Sequence, residues 1–173
     1  MKREVIRSTN FVPDAAEFIL RHARTALAER DQFRIALSGG NTPRPVYTEL
    51  VRIGRDLPWD RIFFTFGDER CVPPEDEQSN FRMARESLFV PAAVPEKSIA
   101  RMRGEIDPQV AAEEYQDRLG LIAVEGGEVV PGAETHRPPD DFDRRVCSHL
   151  FVGGHQCTIV LQRELVVVQP VAI

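Results

Sequence analysis

The chain has 173 residues, 42% of them apolar, with 27 acidic against 22 basic side chains and a formal net charge of −5. That length suits one domain with a sizeable core, and the acidic balance offers no general attraction to nucleic acid or to an anionic membrane, so an anionic ligand must be held by local groups. The three cysteines, Cys71, Cys147 and Cys157, form no Cys-x-x-Cys pair, which argues against a disulfide framework and a zinc site.

The amino end, MKREVIRSTNF, is charged with no apolar stretch behind it, and the longest aliphatic run, Leu165 to Val168, is far short of a membrane span. A soluble cytoplasmic protein is expected. From Pro13 to Arg30, Ala16, Ile19, Ala23, Ala26 and Leu27 recur at helical spacing, which predicts an amphipathic helix packed on a sheet.

The next stretch, Phe33 to Tyr47, organises the rest. Arg34 to Leu37 has strand character and runs into Ser38-Gly39-Gly40-Asn41, after which Thr42-Pro43 opens a helix carrying Val46, Tyr47, Leu50 and Val51 on one face. Adjacent glycines free the backbone and remove side chains that would hold an anion away from main-chain N–H groups. Thr42 is placed to cap the helix and Pro43 to occupy its first turn. The N–H groups and the positive end of the helix dipole then face whatever sits over the loop, and a phosphate or carboxylate suits that position. A tight connection with no ligand is the competing reading. The Gly-Lys-Ser/Thr ending of a nucleotide-binding loop is absent.

Gly54 to Asp60 connects to a second strand, Ile62 to Phe66, apolar enough to be buried on both faces of a parallel sheet. Gly67-Asp68-Glu69-Arg70 follows at its carboxyl end, where open α/β sheets bind ligands, although a solvated turn reads the same way. Ser79-Asn80 caps a short helix with Phe81, Ala84 and Leu88 inward; Arg82 in its first turn either reaches a ligand or lies in solvent. Ile99 to Met102 reads as a short strand, and Asp107-Pro108 opens a helix with Val110, Ala111, Tyr115 and Leu119 inward. Glu125 to Asp143 is loop-like, Arg144 to His155 shows no clean period, and Thr158 to Leu161 and Leu165 to Val168 recover strand character. The alternation predicts a three-layer α/β domain, Rossmann-like, with a mainly parallel sheet and helices on both faces.

Taken in order and spacing, Ser38-Gly39-Gly40-Asn41-Thr42-Pro43, Trp59, Gly67-Asp68-Glu69-Arg70-Cys71-Val72-Pro73, Ser79 to Ala84, Ala111 to Tyr115 and Asp141-Phe142-Asp143 resemble the 6-phosphogluconolactonases. The related glucosamine-6-phosphate deaminases usually carry Thr-Gly in the first loop and tyrosine in place of Arg70. The resemblance implies a hydrolase of the pentose phosphate route that opens a phosphorylated sugar lactone, 6-phosphoglucono-1,5-lactone, to 6-phosphogluconate, with no metal and no cofactor. It implies that Ser38, Gly39, Gly40, Asn41 and Thr42 line the sugar-phosphate site, with Asp68 and Arg70 as its polar wall; Arg82 is a further candidate anion contact only through its place in the first turn of its helix.

Residues 1–143 are family-like, 144–163 diverge, and 164–173 read as a last strand of the single domain before the chain stops. The family continues Phe-Asp into Leu-Gly-x-Gly-x-Asp-Gly-His-Thr-Ala-Ser-Leu-Phe-Pro-Gly, whose histidine is the expected base. Here Phe142-Asp143 runs into RRVCSHLFVGGHQCT instead. Ser148 to Phe151 and Gly154-His155 each echo part of the motif, in registers that exclude one another. A locally scrambled frame followed by truncation gives this pattern, and it puts catalytic competence in question. His155, freed by Gly153-Gly154, is the candidate surviving base, ahead of His149; His22 and His136 read as bystanders. The alternatives are a non-catalytic remnant that binds sugar phosphate and an amino-sugar-phosphate isomerase or deaminase. An incomplete sheet also predicts self-association through an unpaired edge.

Overall fold

The two apolar runs at the centre of the sequence form neighbouring strands, and each buries every other side chain. The computed structural model describes residues 3–124, 157–161 and 164–170, with side-chain surroundings for residues 8–119. β1 is Arg3–Ser8, α1 Phe11–Arg30, β2 Phe33–Leu37, α2 Pro43–Ile53, β3 Ile62–Phe66, α3 Asn80–Ala84, α4 Pro108–Val124, β4 Cys157–Leu161 and β5 Glu164–Pro170. The strands form one sheet in the order β1-β5-β4-β2-β3. β2 and β3 run parallel, as do β1 and β5, whereas β4 runs against both β2 and β5.

Phe33, Ile35 and Leu37 of β2 and Ile62, Phe64 and Phe66 of β3 are buried. Most of them line the apolar core with Ile19 and Ala23 of α1, Leu50 of α2, and Leu57 and Trp59. An apolar face at 3.6-residue spacing meeting one at two-residue spacing is what binds helix to sheet here. A second cluster continues from Phe64 and Phe66 to Phe89 and Phe81, with ring centroids 5.2–6.3 Å apart and mostly edge-on.

Several expectations hold and several change. α1 begins at Phe11, two residues before Pro13, because proline is tolerated in the first turn, where its missing N–H has no partner to lose. Val46, Tyr47 and Leu50 face the core from α2 and Val51 packs against it. Thr42 does not cap α2: its own backbone is helical and its hydroxyl makes no capping bond, although Pro43 sits at the first helical position as expected. Ser79 does cap α3, accepting from Arg82 N at 3.2 Å. After α3 the helix widens into a π-helical turn, Arg85–Phe89, which buries Ser87, Leu88 and Phe89.

Ile99 to Met102 is not a strand. It meets β3 through a single parallel bridge, Phe64 with Ile99, and Ala100 N donates to Phe64 O at 2.8 Å. On α4, Ala111 and Tyr115 are buried, but Val110 and Leu119 are 45% and 37% exposed, so only one side of the expected apolar face is covered. β1 has no counterpart in the sequence reading. The loop from Glu125 to Asp143 and the stretch from Arg144 to His155 lie outside the described residues.

Candidate functional site

Because β2 and β3 are parallel neighbours, their carboxyl ends open at one edge of the sheet, and the loops that follow lie side by side. Gly67 N donates to Leu37 O at 2.9 Å and joins the two ends directly.

The chain's two tyrosines fix those ends in the same manner. The Tyr47 hydroxyl accepts from Ser38 N at 3.0 Å and donates to Ser38 O at 2.9 Å. The Tyr115 hydroxyl accepts from Phe66 N at 2.7 Å and donates to Phe66 O at 3.0 Å. Each phenol therefore satisfies one residue's donor and acceptor where the strand ends, a service water would otherwise provide. Burial pushes the Tyr115 phenol above its ordinary pKa, opposed by its bond to the Phe66 backbone. At the outer edge of β3, Tyr115 and the Ala100 bond together occupy backbone groups that an edge strand would leave open.

Glu69 is the anchor of the second loop. It is 6% exposed, and its carboxylate accepts from Arg70 N at 2.8 Å, Asn80 N at 2.7 Å, Phe81 N at 2.9 Å and the Ser79 hydroxyl at 3.4 Å. With Ser79 Oγ taking Arg82 N, the N–H groups at the start of α3 are all committed to protein. A carboxylate at a helix N-terminus is favourable, and an anionic ligand is thereby excluded from that end.

The first loop is the opposite case. Among the described residues, the N–H groups of Gly39, Gly40 and Asn41 donate to no protein acceptor. Gly40 has φ +93° and open space where a β-carbon would stand. Such a φ is costly for any residue with a β-carbon. Gly39 is required for a different reason: a β-carbon there would lie 1.8 Å from Asn80 Oδ1. Asn80 Nδ2 in turn donates to Asp68 O at 3.1 Å, so this one side chain bridges the two loops.

Of the residues singled out in the sequence, Ser38, Gly39, Thr42 and Asp68 are half-buried, while Gly40, Asn41 and Arg70 are exposed. The side chains of Asp68 and Arg70 make no ion pair or hydrogen bond among the described residues. Arg82 is otherwise engaged, its guanidinium donating to Glu86 at 2.8 Å and to Glu75 O at 2.7 Å. Beside this loop Arg101 lies 5.5 Å over the Phe81 ring and pairs with Glu105, whose carboxyl it holds down at about 2. His155, with His149 and His136, lies outside the described residues; His22, on α1, is bound to Phe18 O at 2.8 Å. Among the described residues no cluster of His, Cys, Asp and Glu could hold a metal ion, and no helix is long and apolar enough to cross a membrane.

Sequence reasoning gave Glu69 no role of its own and Asn80 only a capping one, and it passed over both tyrosine hydroxyls. An acid followed eleven residues later by the start of a short helix was the only available signal for Glu69, and it is a weak one.

Residues 7–136 match the family model described as glucosamine-6-phosphate isomerases/6-phosphogluconolactonase. The chain belongs to this family. Among curated relatives of the family, a 6-phosphogluconolactonase from Synechocystis sp. is 43% identical over 104 residues, covering 59% of this chain and 42% of that protein. One from Thermotoga maritima is 36% identical over 107 residues, covering 60% and 48%. The crystal structure of 6-phosphogluconolactonase from Thermotoga maritima superposes with a TM-score of 0.65 at 32% identity, over 70% of this chain and 55% of that one. The chain spans about half the length of the curated relatives it matches. The family's Rossmann-like α/β fold is the fold described above.

Proposed function

We propose that this chain takes a phosphorylated sugar lactone over the Ser38–Thr42 loop and hydrolyses 6-phosphogluconolactone to 6-phosphogluconate without a metal. One observation carries the reading. Of the two loops at the carboxyl ends of β2 and β3, the first has, among the described residues, no protein acceptor for the N–H groups of Gly39, Gly40 and Asn41, and the side chains of Asp68 and Arg70 in the second make no ion pair or hydrogen bond there. Curated 6-phosphogluconolactonases that match 59–69% of the chain support the substrate class.

The chemistry asked of such a site is positioning and charge stabilisation. Backbone N–H groups and the N-terminus of α2 hold the phosphate, and that binding fixes the lactone ring. Arg70 supplies a rigid fork of donors to an oxyanion or phosphate oxygen, and Asp68 orders the attacking water. A base must take that water's proton. β4 runs antiparallel to β2, so Cys157 enters the sheet at its loop end, and His155 stands two residues earlier in the sequence. That order supports His155 as the base.

The test is hydrolysis of freshly generated 6-phosphogluconolactone above the spontaneous rate, with a His155→Ala variant alongside. Saturable turnover lost in the variant is expected. Turnover kept in the variant moves the base to His149 or Asp68. The absence of Asp-Gly-His after Phe142-Asp143 favours a second reading, a sugar-phosphate binder without turnover; 6-phosphogluconate raising the melting temperature with no hydrolysis would establish it. Ammonia released from glucosamine 6-phosphate would instead favour the deaminase reading.

A further inference from the structure

We infer that Glu69, without touching the ligand, positions the anion-binding loop through Asn80. For its ligand the inference rests on the lactonase reading of that loop; for its geometry it does not.

The Glu69 carboxylate is buried and bound to the backbone of Asn80 and Phe81 and to the Ser79 hydroxyl, all on the segment that opens α3. Held there, Asn80 is 3% exposed. Its side chain reaches back to the Asp68 carbonyl and covers Gly39 closely enough that no β-carbon fits between them. One buried charge thus sets a three-part contact: α3 to Glu69, Asn80 to Asp68, and Asn80 to Gly39. Asp68 and the Gly39–Asn41 N–H groups then stand in a fixed relation before any ligand arrives, the preorganisation that a charged ligand rewards. The bonds that Glu69 accepts are charge-assisted, so the anchor is strong.

Two variants of the full chain test this. Glu69→Gln puts an NH₂ where the carboxylate accepts N–H groups, so it loosens the anchor. Asn80→Ala leaves the carboxylate and its backbone bonds intact and removes only the side chain that touches Asp68 and Gly39. Backbone ¹⁵N order parameters of Gly39, Gly40 and Asn41 in the ligand-free chain are expected to fall in both variants. The dissociation constant for 6-phosphogluconate is expected to rise about tenfold or more in each. In the double variant it should rise no further than in the worse single one, because both act along one route. Two independent structural losses would multiply instead.

If Glu69→Gln does not fold, Asn80→Ala alone decides: a rigid loop and unchanged affinity in that variant overturn the inference. Multiplicative losses in the double variant overturn it as well. If the unaltered chain fails to bind 6-phosphogluconate, the lactonase reading falls, and the order parameters still judge the positioning role by themselves.

Discussion

The Asn80 side-chain amide occupies the space over Gly39 that a β-carbon would need, its Oδ1 standing 1.8 Å from that position. A residue in one loop thereby dictates the residue type in another, forty-one positions earlier in the chain. Gly39→Ala is expected to lower stability by about 1–3 kcal/mol through overpacking. Asn80→Gly removes the obstructing group, so the double variant should lose less than the sum of the single changes. Urea unfolding of the four proteins measures the coupling, and strict additivity would show that the contact is not rigid.

Gly40 differs because nothing crowds it. Its φ of +93° is the constraint, so Gly40→Ala should cost about 1–3 kcal/mol from backbone strain alone. That loss should be unaffected by any change at Asn80, the reverse of the behaviour at Gly39. Thermal unfolding of Gly40→Ala with and without Asn80→Gly separates the two mechanisms.

Removing the Tyr115 hydroxyl leaves the N–H and C=O of Phe66 without their shared partner in a buried setting. Tyr115→Phe should therefore destabilise by about 1–3 kcal/mol despite keeping the ring. Burial raises this phenol's pKa in the folded chain, so the associated stability is full below the unfolded value near 10 and declines as pH rises through the folded value. Ultraviolet titration should show Tyr115 ionising above pH 10 in the native protein, and a normal titration would contradict the burial of its hydroxyl.

Arg101 lowers the Glu105 carboxyl from 4.5 to about 2, chiefly through their direct hydrogen bonds. A depressed carboxylate contributes stability that is complete above the unfolded pKa and is lost as pH falls through the folded one, here between about 4.5 and about 2. The pair is partly exposed, which keeps its contribution to about 1 kcal/mol or less. In an NMR pH titration, Arg101→Ala should return the Glu105 carboxyl towards the ordinary range. A Glu105 pKa that stays near 2 would assign the depression to Arg103 or to the backbone.

The sequence by itself determined the strand, glycine turn and helix from Phe33 to Ile53, the strand Ile62–Phe66, the Ser79 cap and the inward faces of α1 and α2. Those features rest on local physics: apolar periodicity, proline in a first turn, a hydroxyl beside a helix N-terminus. Only the tertiary structure decided that β1 joins the sheet beside β5 and that β4 runs antiparallel between β5 and β2. It alone closed the N-terminus of α3 with Glu69, tied both strand ends with tyrosine hydroxyls, and laid Asn80 on Gly39. Each of these depends on an approach between distant segments, and pairing direction and close approach leave no periodic trace in either partner's sequence.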